Sequence, residues 1–419
     1  MEVKVSIATN SAHPDLEAQD YFLGHMRKQT TRLFCNFRQL RSLPPELTQE
    51  GSHIEKIHLQ GNELTRLPHD FGCLTQLTCC YLKDNYIEVL PDSVGDLKAL
   101  TILDVGNNNL RALPPSLGSL PSLRSLGVVN NKLAAFPQEL CSLKSLSILT
   151  LSGNQLTSLP SGMKGLRGLM GLYLDHNRLR ELPISLTDLP VLARISFCCN
   201  QITHLPARPF ISEPKVFFDD NPIKYLPFAM VCQLRAGYSW DTIVLPTCYY
   251  IPEVAVEENT VHINLSGQTH PSALVLPKQI KTASVHIPIN YTVPPLKELC
   301  LSFLYGADGT PNCNWKHFLP DRDTNTVPRV LLDALEEGPI AWCDYPECQK
   351  SIFTHAVVVV VPIAVTPKEY LACVDNLMLL YFCSDHCADQ LKKYCDYAGG
   401  GMFIWLAERL RRCLRVEIV

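Results

Sequence analysis

The 419-residue sequence predicts an α/β fold, a curved solenoid of about nine leucine-rich turns followed by a small mixed α+β region. Three observations predict it. An asparagine returns every 23 residues, at Asn62, Asn85, Asn108, Asn131, Asn154, Asn177 and Asn200, with a shorter turn ending at Asn221. Most turns continue as Leu-x-x-Leu-Pro, with the Leu-Pro pairs at Leu67-Pro68, Leu90-Pro91, Leu113-Pro114, Leu159-Pro160, Leu182-Pro183 and Leu205-Pro206. Beyond the repeats, two cysteine pairs stand about 35 residues apart, Cys343 with Cys348 and Cys383 with Cys387.

Residues 1–29 read as an N-terminal cap. Their opening, MEVKVSIATNSAHPDLE, lacks a basic stretch followed by an apolar core, so no secretory signal is expected. Lysine and arginine total 37 against 41 aspartates and glutamates, with no long run of either sign, which excludes a nucleic-acid footprint. The longest apolar run, Ala356 to Val365, contains Pro362 and falls far short of the ~20 residues that cross a bilayer. A buried strand is expected there, and no membrane association. Eighteen cysteines spread through repeats and tail suit reduced thiols and metal ligands in the cytoplasm or nucleus.

Residues 30–230 form the predicted solenoid. In IEKIHLQGNEL the apolar places are Ile54, Ile57, Leu59 and Leu64, with Asn62 between the last two. A single unit of this kind cannot bury its own leucines, whereas stacked neighbours form one continuous core. The inward asparagine satisfies backbone groups that the turn would otherwise orphan. Proline fixes φ and removes a donor, which suits an extended or loosely helical convex side. Nine parallel strands at ~4.8 Å give a concave face on the order of 40 Å long.

Strand residues between the leucines point to that face. One register runs Phe34, His58, Tyr81, Asp104, Gly127, Thr150, Tyr173, Ser196 and Phe217, and its neighbour includes Asp175. Aromatic and acidic residues at exposed places suit a protein partner, because aromatic anchors dominate interface energetics. Phe34, His58, Tyr81, Asp104, Tyr173, Asp175 and Phe217 are the candidate binding residues. Read singly, each is also compatible with tolerated surface. The repeat pattern resembles that of intracellular, typical-type leucine-rich repeat proteins. The resemblance implies a leucine-rich repeat solenoid that binds proteins and carries no catalytic centre of its own.

From 231 to 293 the period is lost, and DTIVLP, NTVHINL, SALVLP and KTASVHIPI read as short strands that cap or link the array. Within 294–338, PPLKELCLSFLYG places Leu296, Leu299, Cys300, Phe303 and Leu304 on one helical face. Pro295, Leu296, Cys300 and Leu304 match the elongin-binding helix of SOCS-box substrate receptors, which this stretch resembles. The resemblance implies that Leu296, Cys300 and Leu304 dock elongins B and C. In NTVPRVLLDALEEG, Val327, Pro328 and Leu331 are similar to the cullin-facing segment of that family, although Asn325-Thr326 replaces its first Leu-Pro. The alternative for both helices is packing on the chain's own domain.

Residues 339–398 hold the cysteine knuckles. Four thiolates from two paired spacings close a tetrahedron around structural zinc and leave no open coordination place, so the metal is expected to be structural. Four reduced thiols in a small core are the alternative. HAVVVVVPIAV and NLMLLYFC read as strands that bring the knuckles together. Repeats, apolar helix and cysteine tail together resemble the group typified by leucine-rich repeat-containing proteins 28 and 58. Residues 399–419 add an amphipathic C-terminal helix. The expectation is a non-enzymatic substrate-recognition subunit of an elongin–cullin ubiquitin ligase, since no nucleophile–base set or phosphate loop is present. The alternative is a signalling scaffold binding a GTPase or phosphatase.

Overall fold

A computed structural model describes residues 30–223 continuously, Gly24, 225–227 and 230, and in the C-terminal part 339, 341–344, 348, 350–352, 386–390 and the strands named below. Two compact units divide the chain, Met1–Arg178 and Leu179–Val419.

The first unit contains seven three-residue strands: β1 (Arg32–Phe34), β2 (Lys56–His58), β3 (Cys79–Tyr81), β4 (Ile102–Asp104), β5 (Ser125–Gly127), β6 (Ile148–Thr150) and β7 (Gly171–Tyr173). Each pairs in parallel with the next, in register, so that Phe34, His58, Tyr81, Asp104, Gly127, Thr150 and Tyr173 form one row. Side chains alternate along a strand, and the central residue of each points into the core. Leu33, Ile57, Cys80, Leu103, Leu126, Leu149 and Leu172 are accordingly almost wholly buried. Full burial of such a side chain is worth ~1.5–3 kcal/mol, and it is available only when the neighbouring turn covers it.

Each strand leads into a turn whose residue before the ladder asparagine is left-handed. These residues are Phe37, Gly61, Asp84, Asn107, Asn130, Gly153 and His176 in the first unit, and Cys199 and Asp220 in the second. Asparagine, aspartate and glycine adopt this region at low cost, which explains most of the choices. The turn then presents the asparagine inward. Its Nδ2 donates to a carbonyl of the preceding turn at 2.8–3.0 Å from Asn62 to Asn177. Its Oδ1 accepts a backbone N–H of the preceding turn at 2.9–3.1 Å. The first turn has Arg38 in the asparagine place, and its backbone N–H is capped by Asn62 Oδ1 at 2.9 Å.

On the opposite side, α1 (Glu46–Glu50) serves the first turn, and later turns use short 3-10 helices. In the first unit these run over Phe71–Cys73, Asp92–Asp96, Pro115–Ser119, Gln138–Ser142 and Ser161–Gly165. Pro91, Pro114, Pro137 and Pro160 enter the last four of these with φ between -64 and -68, the value that the pyrrolidine ring imposes. The proline therefore leads into a 3-10 turn, the helical of the two paths that the sequence allows. These turns pack tightly, since a Cβ on Gly95 would fall 2.5 Å from the Ser116 carbonyl oxygen.

The second unit carries a further 3-10 helix (Ile184–Asp188) and the parallel pair β8 (Arg194–Ser196) and β9 (Lys215–Phe217), bringing the strands of this type to nine among the described residues. Its ladder ends at Asn221, whose Nδ2 donates to Phe197 O at 2.9 Å and whose Oδ1 accepts Ile202 N–H at 3.0 Å. The rings of Phe197 and Phe218, both buried, stack with centroids 6.2 Å apart.

Beyond the repeats lie β10 (Tyr225–Pro227), β11 (Ile243–Val244), β12 (Val254–Glu257), β13 (Thr260–Ile263), β14 (Ser272–Val275) and β15 (Thr282–Val285). They are followed by β16 (Ala341–Trp342), β17 (Ser351–Ile352), β18 (His355–Pro362), β19 (Ala364–Val365) and β20 (Leu377–Phe382). A four-stranded sheet has the order β10-β20-β18-β15, in which β18 and β20 are antiparallel. The strands β12, β13 and β14 form an antiparallel meander, β11 pairs with β19, and β16 with β17. The apolar run around Pro362 is thus a sheet strand, and among the described residues no helix is long and apolar enough to cross a membrane.

Candidate functional site

On the sheet face opposite the core, the first unit presents a run of stacked rings. Phe34, 48% exposed, lies on His58 with centroids 4.5 Å apart and planes at 21°, and His58 lies on Tyr81 at 4.7 Å and 22°. In-register parallel strands place identical positions one strand spacing apart, which is also ring-stacking distance. Desolvation, with help from Lys56 and Arg32, lowers the His58 pKa against a smaller opposing hydrogen bond from Gln60. The shift favours the neutral imidazole in the stack. Burial also raises the Tyr81 phenol, assisted by Cys79 and Asp104.

The row changes character at β4. The Asp104 carboxylate accepts Gly106 N–H at 3.0 Å and lies beside Gly127, the next place in the row. Tyr173 is half-buried on β7, and Asp175 accepts a hydrogen bond from Ser152 Oγ at 3.4 Å. The stacked rings thus end at β3, and Asp104 follows them in the row. In the second unit Phe217 is half-buried, and the Arg194 guanidinium lies 4.5 Å above its ring. Phe217 is therefore part of a cation–π pair in addition to being an outward aromatic.

The strand register makes this row predictable from sequence, but two neighbours of it are not. Phe37 is 76% exposed despite its bulk, sits in a left-handed conformation and lays its ring against Gly61. It occupies a turn place that the strand alternation does not reach. Arg194 stands at a strand place that reads as ordinary surface.

A second cluster lies within the C-terminal unit. Ala341 pairs with Ile352 and Trp342 with Ser351 in an antiparallel hairpin, closed by Cys343 N–H donating to Lys350 O at 2.8 Å. Cys343 and Cys348 lie on the loop of that hairpin, and Cys387 comes from the helical residues 386–390. Their three Sγ atoms lie within 4.8 Å of one another, with Cys343 and Cys387 buried and Cys348 half-buried. Such a set of soft donors can hold a metal ion. Cys383 lies outside the described residues, as do Leu296, Cys300, Leu304, Val327, Pro328 and Leu331.

The hairpin is anchored by a residue the sequence does not single out. Arg208 is 4% exposed and uses its whole guanidinium. Nε donates to Thr187 Oγ1 at 2.6 Å, Nη1 to Pro339 O at 3.1 Å, and Nη2 to Ile184 O at 3.3 Å. Nη2 also pairs with the Asp188 carboxylate at 2.6 Å. The fork geometry of arginine makes it suited to bridging a repeat turn and Pro339, two residues before β16. Nothing in the period marks Arg208, because its partners lie on another turn and at Pro339, 131 residues away.

Burial favours the neutral thiol at three repeat-core cysteines. Burial pushes Cys35 up to about 12 and Cys141 up to about 11, and raises Cys80 further. A thiol held in its neutral form is a poor nucleophile.

Residues 80–133 and 121–179 match the sequence profile of the leucine rich repeat family. No curated protein matches the chain significantly. Among solved structures, the chain is similar to a leucine-rich repeat protein of Leptospira interrogans, at 28% identity and a TM-score of 0.35, over 47% of this chain and 62% of that one. It is also similar to a structure described as a TDR receptor, at 25% identity and a TM-score of 0.40, over 47% of this chain and 40% of the other. Both matches thus span less than two thirds of the other protein. The profile match, the in-register strands and the asparagine ladder establish that this chain carries a leucine-rich repeat array.

Proposed function

We propose that this chain is a protein-binding module that recruits targets to an elongin–cullin ubiquitin ligase. The concave strand face, opposite the core, captures the target, with Phe34, His58 and Tyr81 as aromatic anchors and Asp104, Tyr173 and Asp175 further along. Leu296, Cys300 and Leu304 dock elongins B and C, while Val327, Pro328 and Leu331 face a cullin. In the second unit, Phe217, beside Arg194, is a further candidate binding residue. The chain itself is non-enzymatic in this reading and works in the cytoplasm or nucleus.

The observation that carries the binding half is the Phe34–His58–Tyr81 stack on the face opposite the core, with Phe34 exposed and the other two rings half-buried. Three rings stacked in sequence, each on the next, are already ordered, so a partner laid on them loses little further side-chain entropy on this side of the interface. Anchors of this type typically cost ~2 kcal/mol or more when truncated. The ligase half rests on the sequence match at Pro295, Leu296, Cys300 and Leu304.

Purified elongin B/C is the direct probe. Stoichiometric binding to the full chain, lost on Leu296→Ala combined with Cys300→Phe, is expected. Equal recovery by both forms would refute the ligase half and leave a binding module alone. For the target face, proteins that accumulate in cells lacking the chain should fall again on re-expression of the wild type but not of Phe34→Ala/Tyr81→Ala. Equal rescue by both would refute the assignment of the aromatic stack.

A further inference from the structure

We propose that Cys343, Cys348 and Cys387 are ligands of a structural zinc ion, with Cys383 completing the set. The inference is independent of any partner. It starts from a convergence in space: Cys387 is 39 residues beyond Cys348, and all three sulfurs lie within 4.8 Å of one another.

The local geometry fits a metal knuckle. A tight antiparallel hairpin brings Cys343 and Cys348 to one loop, and Cys343 N–H is tied to Lys350 O, which fixes the loop around the first sulfur. Zinc bonds thiolate at ~2.3 Å, so the sulfurs of a tetrahedral site stand ~3.8 Å apart, within the observed spread. A disulfide would join two of these sulfurs and leave the third beside it without a role. A cluster of several irons would hold its ligands further apart than one ion does. Hard cations are excluded by the donors, because thiolate selects zinc, copper(I) or iron.

The fourth ligand follows from the chain. The C-x3-C spacing to Cys387 offers Cys383, which lies outside the described residues, as that ligand. Ligation is proton-balanced and involves no redox step: Zn2+ displaces one proton from each thiol to solvent, and the four thiolates occupy all its coordination places. With no open place, the ion has no catalytic role. Its consequence is mechanical. One ion joins the β16–β17 hairpin to the segment after β20, closing a loop that contains β18 and β20. Pro339, two residues before β16, is held by Arg208. The zinc and the guanidinium therefore grip the same hairpin from its two ends.

The test is metal analysis of the full-length chain, purified without chelator. One zinc per chain is expected, released by a mercurial thiol reagent. Cys343→Ser, Cys348→Ser and Cys383→Ser should each lose most of it, whereas Cys73→Ser, at an exposed position in the first unit, should retain it. Should a serine variant fail to fold, cobalt(II) exchange into the wild type supplies a second readout: tetrahedral d–d bands with thiolate charge-transfer bands. A chain with neither zinc nor those cobalt bands, a chain with iron instead, or zinc retained by all three serine variants would overturn the proposal.

Discussion

Replacing Arg208 with alanine should loosen the C-terminal hairpin while leaving the first unit intact. The guanidinium is buried and makes three hydrogen bonds and an ion pair. After the change, Ile184 O keeps its bond from Thr187 Oγ1 at 2.7 Å, and the Asp188 side chain, 34% exposed, can turn to water. Pro339 O is buried and loses the donor it has here. That orphaned carbonyl costs ~1–3 kcal/mol, and breaking a largely buried charged pair costs ~3–5 kcal/mol in all. Because Asp188 is partly solvated, the lower end applies, about 3 kcal/mol. With a urea slope of ~1–3 kcal/mol per M, the midpoint of the second unit should fall by ~1–3 M. Hydrogen exchange mapped by segment is the assay. Protection at the Cys343 amide and its hairpin should drop, while protection over the strands of the first unit should not. Arg208→Lys should recover only part of the loss, since an ammonium cannot reproduce the fork. Unchanged exchange at the hairpin together with an unchanged urea midpoint in Arg208→Ala would refute the anchoring role.

Asn108→Ala removes donors to Leu82 O and Val105 O and the acceptor for Ile87 N–H, all buried, and should destabilise the first unit by ~3 kcal/mol in urea unfolding. His176→Gly relieves a left-handed non-glycine residue at φ 55 and should stabilise by about 1 kcal/mol in the same assay, whereas Gly153→Ala, at φ 71, should destabilise. Thiol labelling of the native chain at pH 8 should modify Cys73 and spare Cys35, Cys80 and Cys141 until the array unfolds. The folded pKa values of Cys35 and Cys141 lie above the ordinary 9.0, so the native state retains protons that the unfolded chain releases. Their contribution to stability is therefore complete below pH 9 and declines as pH rises toward 11 and 12, which thermal melts across that range should show.

The repeat array is legible because one physical constraint recurs. A central strand residue must be apolar, the ladder place must be asparagine, and the same spacing returns, so Phe34, His58 and Tyr81 align from the sequence alone. What the period does not encode is interaction across it. The aromatic row is readable, but its stacking depends on the register of β1, β2 and β3. Arg208 escapes notice because it satisfies partners on a neighbouring turn and at Pro339. The left-handed places escape for another reason: Phe37, His176 and Cys199 occupy them against their own preference, so composition alone conceals the turn. In the C-terminal part, individual strands such as β18 and β20 follow from runs of apolar residues. That β15 should pair with β18, or β10 with β20, is a long-range choice that local patterning cannot make.

Each ladder asparagine in the first unit after Asn62 donates to a carbonyl 26 residues earlier and accepts from an amide 21 residues earlier. The bridges depend on offset alone, not on absolute position. Gain or loss of one whole turn would leave every remaining bridge matched, whereas an indel of a few residues would misalign the asparagine on one side of the cut. The array is thus built to vary in length by whole quanta, with the exposed platform lengthening or shortening by one strand width at a time.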